Sequence, residues 1–113
     1  MMFNLNKKHF RGVSNNSNGE VNSSTLFTYH QEDRVIWGTY EGGVIMKGSL
    51  IGKVLDDDTI EFIYSHINQQ HELLSGYCRS TIELLDSGKY RLYEKWSWTT
   101  GKEGIGESII EEV

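Results

Sequence analysis

Proline is absent from this chain, cysteine occurs once, and positive charge is in the minority. Each shortage excludes something. The lone Cys78 cannot close an internal disulfide, so a fold stapled by bridges is excluded and a reducing, cytoplasmic compartment is expected. No stretch reaches the ~20 apolar residues of a membrane helix, so no membrane partner is expected. The segment from Met1 to Phe10 lacks the apolar run and small-residue cleavage site of a signal peptide. Lys and Arg number 11 against 16 Asp and Glu, a formal net charge of −5. That balance repels phosphate backbones and excludes nucleic acid as a partner. Apolar residues nowhere recur at helical spacing over three turns.

What is present points one way. Hydrophobic residues make 37% and charged residues 24% of 113 residues, which suits one soluble globular domain spanning 1–113. Aromatic residues make 12%, and these types favour pleated, half-buried strands. Alternating segments are separated by short polar or glycine-containing clusters. They run Lys8 to Ser14, Glu20 to His30, Arg34 to Glu41, Val44 to Leu55, Thr59 to Ile67, His71 to Leu85, Lys89 to Thr99 and Ile105 to Val113. Short connections make successive strands antiparallel neighbours. Eight such strands in an open sheet would leave two long edges, which proline often blunts elsewhere and cannot blunt here. Closure removes them. The expected fold is all-β, an eight-stranded antiparallel up-and-down barrel, wide enough to be filled by side chains or to hold one small ligand.

Two hairpins set an expected inward face. Asp86-Ser87-Gly88 reads as a type I turn with Gly88 in the left-handed position of a bulge. Pairing Leu84 with Lys89 then sets Arg79 opposite Glu94, Tyr77 opposite Trp96 and Thr81 opposite Leu92. The Asn68-Gln69-Gln70 turn, read the same way, puts Leu73, Ser75 and Tyr77 on the face of Phe62, Tyr64 and His66. A slip of one residue would invert the assignment.

The expected ligand-lining set is therefore Trp37, Phe62, Tyr64, His66, Tyr77, Arg79, Glu94 and Trp96. An aromatic wall carrying few polar groups is how small-molecule pockets are lined. An inward Arg79–Glu94 pair would mark a polar lumen, because desolvation offsets most of a buried pair's attraction. The alternative is an exterior cross-strand bridge. The tryptophans could equally be core filler. Gly48, Gly52 and Gly76 mark bends where a barrel closes, or sites where a ligand comes close to the backbone. His66 and His71 flank one hairpin, but with Glu72 they match no zinc spacing, and no metal or cofactor is expected. Cys78 has the opposite parity to Tyr77 and Arg79. The run Gly101 to Gly106 has glycine where a pyrophosphate loop needs a basic or amide residue, and too little chain follows it for the helix such a loop opens.

Three stretches carry a resemblance: Phe10-Arg11-Gly12-Val13-Ser14, Gly48-Ser49-Leu50-Ile51-Gly52-Lys53-Val54, and Glu94 to Thr99 followed by Gly106 to Glu112. Together they resemble a family of short, uncharacterised bacterial proteins often labelled N-acetylglutamate synthase by automatic transfer. The resemblance covers nearly the whole chain and implies a lipocalin- or streptavidin-like barrel. It brings no catalytic residues. The synthase label does not fit, since acetyl transfer from acetyl-CoA needs a pyrophosphate site and a base. The leading functional expectation is a barrel binding a small, partly apolar ligand. Second stands a filled barrel acting as a homo-oligomer or protein-interaction module through outward Ile63, Leu74 and Tyr93. An enzyme using Glu94, His66 or Tyr64 as acid or base ranks last.

Overall fold

A computed structural model describes residues 3–113; Met1 and Met2, which the sequence reading includes in the domain, lie outside the described residues. Eight strands follow one another: β1 (Lys8–Asn15), β2 (Leu26–Glu32), β3 (Val35–Gly42), β4 (Ile45–Val54), β5 (Thr59–Asn68), β6 (Leu73–Leu84), β7 (Tyr90–Thr100) and β8 (Ile105–Glu112). Each pairs antiparallel with the next, and β8 returns to β1, closing the barrel. The meander and its closure are as the alternating segments predict.

Inward residues form three zones along the axis. At one end, where Leu5 N–H meets the Gln31 side chain, Phe3 and Leu5 join the buried cluster that also holds Ile36, Ile60, Leu92 and Ile110. The middle is aromatic, with Phe27, Tyr29, Phe62, Tyr64 and Trp96 buried there together with Glu94. Tyr40, His66 and Trp98 lie toward the other end, which is crossed by the loop between β1 and β2. Small residues on neighbouring strands make room for the rings. Gly48 is the register partner of Tyr40, and a Cβ there would stand 2.6 Å from the Tyr40 ring. Gly76 faces Tyr64 across the β5–β6 pair and Gly106 faces Trp96 across β7–β8. The space over Gly48 and Gly76 is taken by the protein's own Tyr40 and Tyr64 rings.

Two expectations need correcting. The second strand does not begin at Glu20. Asn22 to Thr25 instead make a local turn, in which Thr25 N–H donates to the Asn22 carbonyl and Ser24 N–H to its side-chain oxygen. Such side chains offer the backbone an alternative to the sheet ladder. The second correction concerns β6, whose register is one residue from that expected. The Asp86–Gly88 turn has the anticipated form, with Gly88 at φ 87°. However, it is closed by Leu85, whose N–H donates to the Lys89 carbonyl, so Leu84 pairs with Tyr90. At the β5–β6 turn His71, at φ 61°, takes the left-handed place that glycine usually fills. Asn68 closes that turn in the same way. Both hairpins therefore turn Leu74, Gly76, Cys78, Ser80 and Ile82 inward.

Candidate functional site

Three of the expected lining residues face outward. Trp37 is 39% exposed and stacks on His30, because β3 buries the opposite parity, Ile36, Gly38 and Tyr40. Tyr77 and Arg79 turn out with the β6 register. The expected cross-pair dissolves: Arg79 stands opposite Lys95, while Glu94 stands opposite Ser80. Arg79 and Tyr77 meet Glu61 on the outer surface, at 3.9 Å and 2.5 Å. Leu74, expected outside, is buried, whereas Ile63 and Tyr93 are exposed. Phe62, Tyr64, His66, Glu94 and Trp96 all turn inward and line one cavity.

Glu94 is its polar centre. β7 is alternately exposed and buried, and this parity carries Glu94 inward with Leu92, Trp96 and Trp98. Its carboxyl accepts hydrogen bonds from Ser108 Oγ at 2.9 Å and Ser80 Oγ at 3.4 Å. Burial raises the Glu94 pKa to about 7, with the two serine hydroxyls working against the rise. Near neutrality the group is thus divided between a carboxylic acid, which donates, and a carboxylate, which only accepts. Cys78, nearly as buried, touches Ser80 at 3.6 Å, and burial pushes its thiol well up. The Tyr29 hydroxyl is buried and has no hydrogen-bond partner among the described residues. Burial raises Tyr40 and Tyr64 as well, and the nearby Glu94 charge adds to both.

A second polar cluster closes the mouth. The Tyr40 hydroxyl lies 2.8 Å from His66 Nδ1, and His66 Nε2 lies 2.8 Å from Glu20 Oε1. The consistent tautomer has Tyr40 donating to Nδ1 and Nε2–H donating to the carboxylate. Burial lowers the His66 pKa against the opposing pull of Glu20. Asn68 and Lys102 also donate to Glu20, and together with His66 they hold its pKa down although burial would raise it. Lys102 Nζ sits 5.7 Å from the centre of the Trp98 ring, a cation–π contact.

Between the clusters lies a cavity of about 40 Å³, walled by Phe27, Phe62, Tyr64, Trp96 and Trp98 and reached by Glu20 and Val21 of the β1–β2 loop. It has room for a few waters at most. A ligand of ordinary size needs more, so side chains at the mouth must move for one to enter.

Sequence reasoning missed Ser80, Ser108, Tyr29, Tyr40 and Glu20. Tyr29 and Tyr40 are legible from strand alternation once one inward residue per strand is known. Ser80 is hidden because small inward residues look like an outward polar face. Nothing local marks Glu20, which acts from an irregular loop across the mouth. The Gly101–Gly106 run belongs to the β7–β8 turn, with Gly106 in β8 against the Trp96 ring.

Neither a curated protein nor a solved structure matches the chain. A family model described as "Avidin-like protein" matches residues 3–113, in keeping with the closed eight-stranded barrel and its aromatic lumen. The chain belongs to the avidin-like family.

Proposed function

We propose that this barrel binds one small molecule in its lumen, with an apolar body held between Phe62, Tyr64, Trp96 and Trp98 and an uncharged polar edge facing Glu94 and Ser108. The observation that carries this is Glu94 itself. A barrel filled only for stability gains more from an aliphatic side chain here than from a carboxyl that burial forces toward neutrality. Perturbed carboxyls in concave sites are where binding and chemistry concentrate. Glu94 and the serine hydroxyls can both donate and accept, which suits an amide- or urea-like edge. Family membership puts small molecules of the biotin kind among the first probes.

The test is tryptophan fluorescence in a Trp37→Phe background, where the two lumen tryptophans alone report. Biotin is expected to quench saturably, at least tenfold more weakly after Glu94→Gln. Identical curves for the two proteins would remove Glu94 from the site, and no quenching in either would overturn a biotin-like occupant of the lumen.

A second reading rests on the outer surface. His30, Trp37, Ile51, Ile63 and Tyr77 follow one another in register across β2 to β6, and Ile51 and Ile63 are 63% and 61% exposed. The adjacent outward row is Thr28, Thr39, Ser49, Ser65 and Ser75, equally free of charge. An apolar row bordered by uncharged hydroxyl residues suits a second copy of the chain. Sedimentation should show an oligomer that Ile63→Glu splits to monomers; a monomer at high concentration would remove this reading.

A further inference from the structure

The Glu20 carboxylate occupies a receptor built from three side chains on two other parts of the chain. His66 comes from β5, Asn68 from the end of β5, and Lys102 from the β7–β8 turn. Oε1 accepts from His66 Nε2 at 2.8 Å and from Asn68 Nδ2 at 3.3 Å. Oε2 accepts from Asn68 Nδ2 at 3.2 Å and from Lys102 Nζ at 3.1 Å. The imidazole and the Asn68 side chain are buried. Each is also anchored from behind, His66 by Tyr40 and Asn68 by Glu72 Oε1 at 2.7 Å. His66 and Asn68 thus hold their positions through contacts independent of Glu20, and Lys102 rests over the Trp98 ring. The acceptor, by contrast, is carried by the irregular β1–β2 loop, where Glu20 makes no strand pairing, and it roofs the cavity.

We propose that this donor set is a carboxylate-binding site at the mouth of the lumen and that Glu20 is its tethered internal occupant, a plug that a free carboxylate replaces. A ligand that reaches the lumen would then be a carboxylic acid whose anionic end takes over His66, Asn68 and Lys102 as the loop lifts. That consequence rests on the lumen-binding reading; the receptor itself does not. Tethering raises the effective concentration of Glu20 to about the millimolar range or above, so wild type should resist small acids that a plugless variant accepts.

The experiment uses acetate, too short to fill the lumen, with acetamide as its uncharged isostere. In Glu20→Ala, acetate should produce a saturable shift of the His66 imidazole resonances and raise Tm, whereas acetamide should do neither. Wild type should need at least tenfold more acetate, and adding Lys102→Met to Glu20→Ala should weaken the response at least as much. An equal response of wild type and variant, or none in Glu20→Ala, would overturn the proposal and leave Glu20 a structural clasp. Should Glu20→Ala not fold in plain buffer, refolding driven by acetate but not acetamide supports the site, and refolding by neither overturns it. Hexanoate then separates the two readings: acetate binding without hexanoate quenching of Trp98 keeps the receptor and rejects the lumen as its continuation.

Discussion

Glu94 and Ser108 stand opposite each other on β7 and β8, and the serine hydroxyl donates to the buried carboxyl at 2.9 Å. The bond joins the last two strands inside a mostly apolar barrel. It holds Glu94 in place and limits how far burial raises its pKa. Ser108→Ala removes the nearer of the two donors. The expected result is a Glu94 pKa above 7, read from the side-chain carboxyl carbon by NMR titration, with the barrel fold kept. An unchanged or lowered value would mean that Ser108 does not tune the carboxyl.

Stability should carry the signature of the same group. The folded pKa of Glu94 is about 7 and its ordinary value 4.5, so between these values the folded state keeps a proton the unfolded chain has lost. Its contribution is present at low pH and declines as pH rises through that window. His66 acts in the opposite direction. Its pKa is lowered from 6.5, so the unfolded chain takes up a proton that the folded one resists, and stability falls as pH drops below 6.5. Relative to Glu94→Gln, wild type should therefore lose up to about 3 kcal/mol between pH 4.5 and 7. Urea titrations of both proteins at half-unit pH steps would show it. A constant difference would contradict a raised pKa at Glu94.

The seat of Tyr40 on Gly48 predicts a coupling. Gly48→Ala places a methyl against the ring and should cost about 1–3 kcal/mol by overpacking. In Tyr40→Leu, where no ring lies over the strand, the same change should cost much less. A double-mutant cycle by chemical denaturation measures the difference. Additive costs would show that Gly48 is needed for the backbone and not for the ring.

Arg79 and Cys78 are sequence neighbours on opposite faces. Arg79 is 59% exposed at its side chain, and its 3.9 Å approach to Glu61 is a surface bridge, so Arg79→Ala should change stability by less than about 1 kcal/mol. Cys78 is buried with its thiol pushed well up. It should resist a thiol reagent in the native state and react on unfolding at a rate set by opening of the barrel. Fast native labelling would place it outside the lumen.

The sequence alone determined the number, order and direction of the strands, and so the closed barrel. That information is local: alternation of period two and short turn clusters suffice. It also put Phe62, Tyr64, His66, Glu94 and Trp96 on one inward face: β7 alternates Leu92, Trp96 and Trp98 with Arg91, Lys95 and Ser97, and the one-residue shifts at the two hairpins of β6 cancel between β5 and β7. Strand β6 alternates too, but its larger polar and aromatic residues, Tyr77 and Arg79, point outward. Its middle inward residues, Gly76, Cys78 and Ser80, are small, and Phe62, Tyr64 and Trp96 occupy the space beside Gly76 and Cys78. Its face depended on where each hairpin closes, at Asn68 with His71 left-handed and at Leu85 with Gly88 left-handed. One residue of difference exchanged Arg79 for Ser80 beside Glu94. Only the tertiary structure brought Glu20 to His66, Asn68 and Lys102, separated from it by 46, 48 and 82 positions. No local pattern encodes such a meeting, because it requires the barrel to close before a loop can cross its mouth.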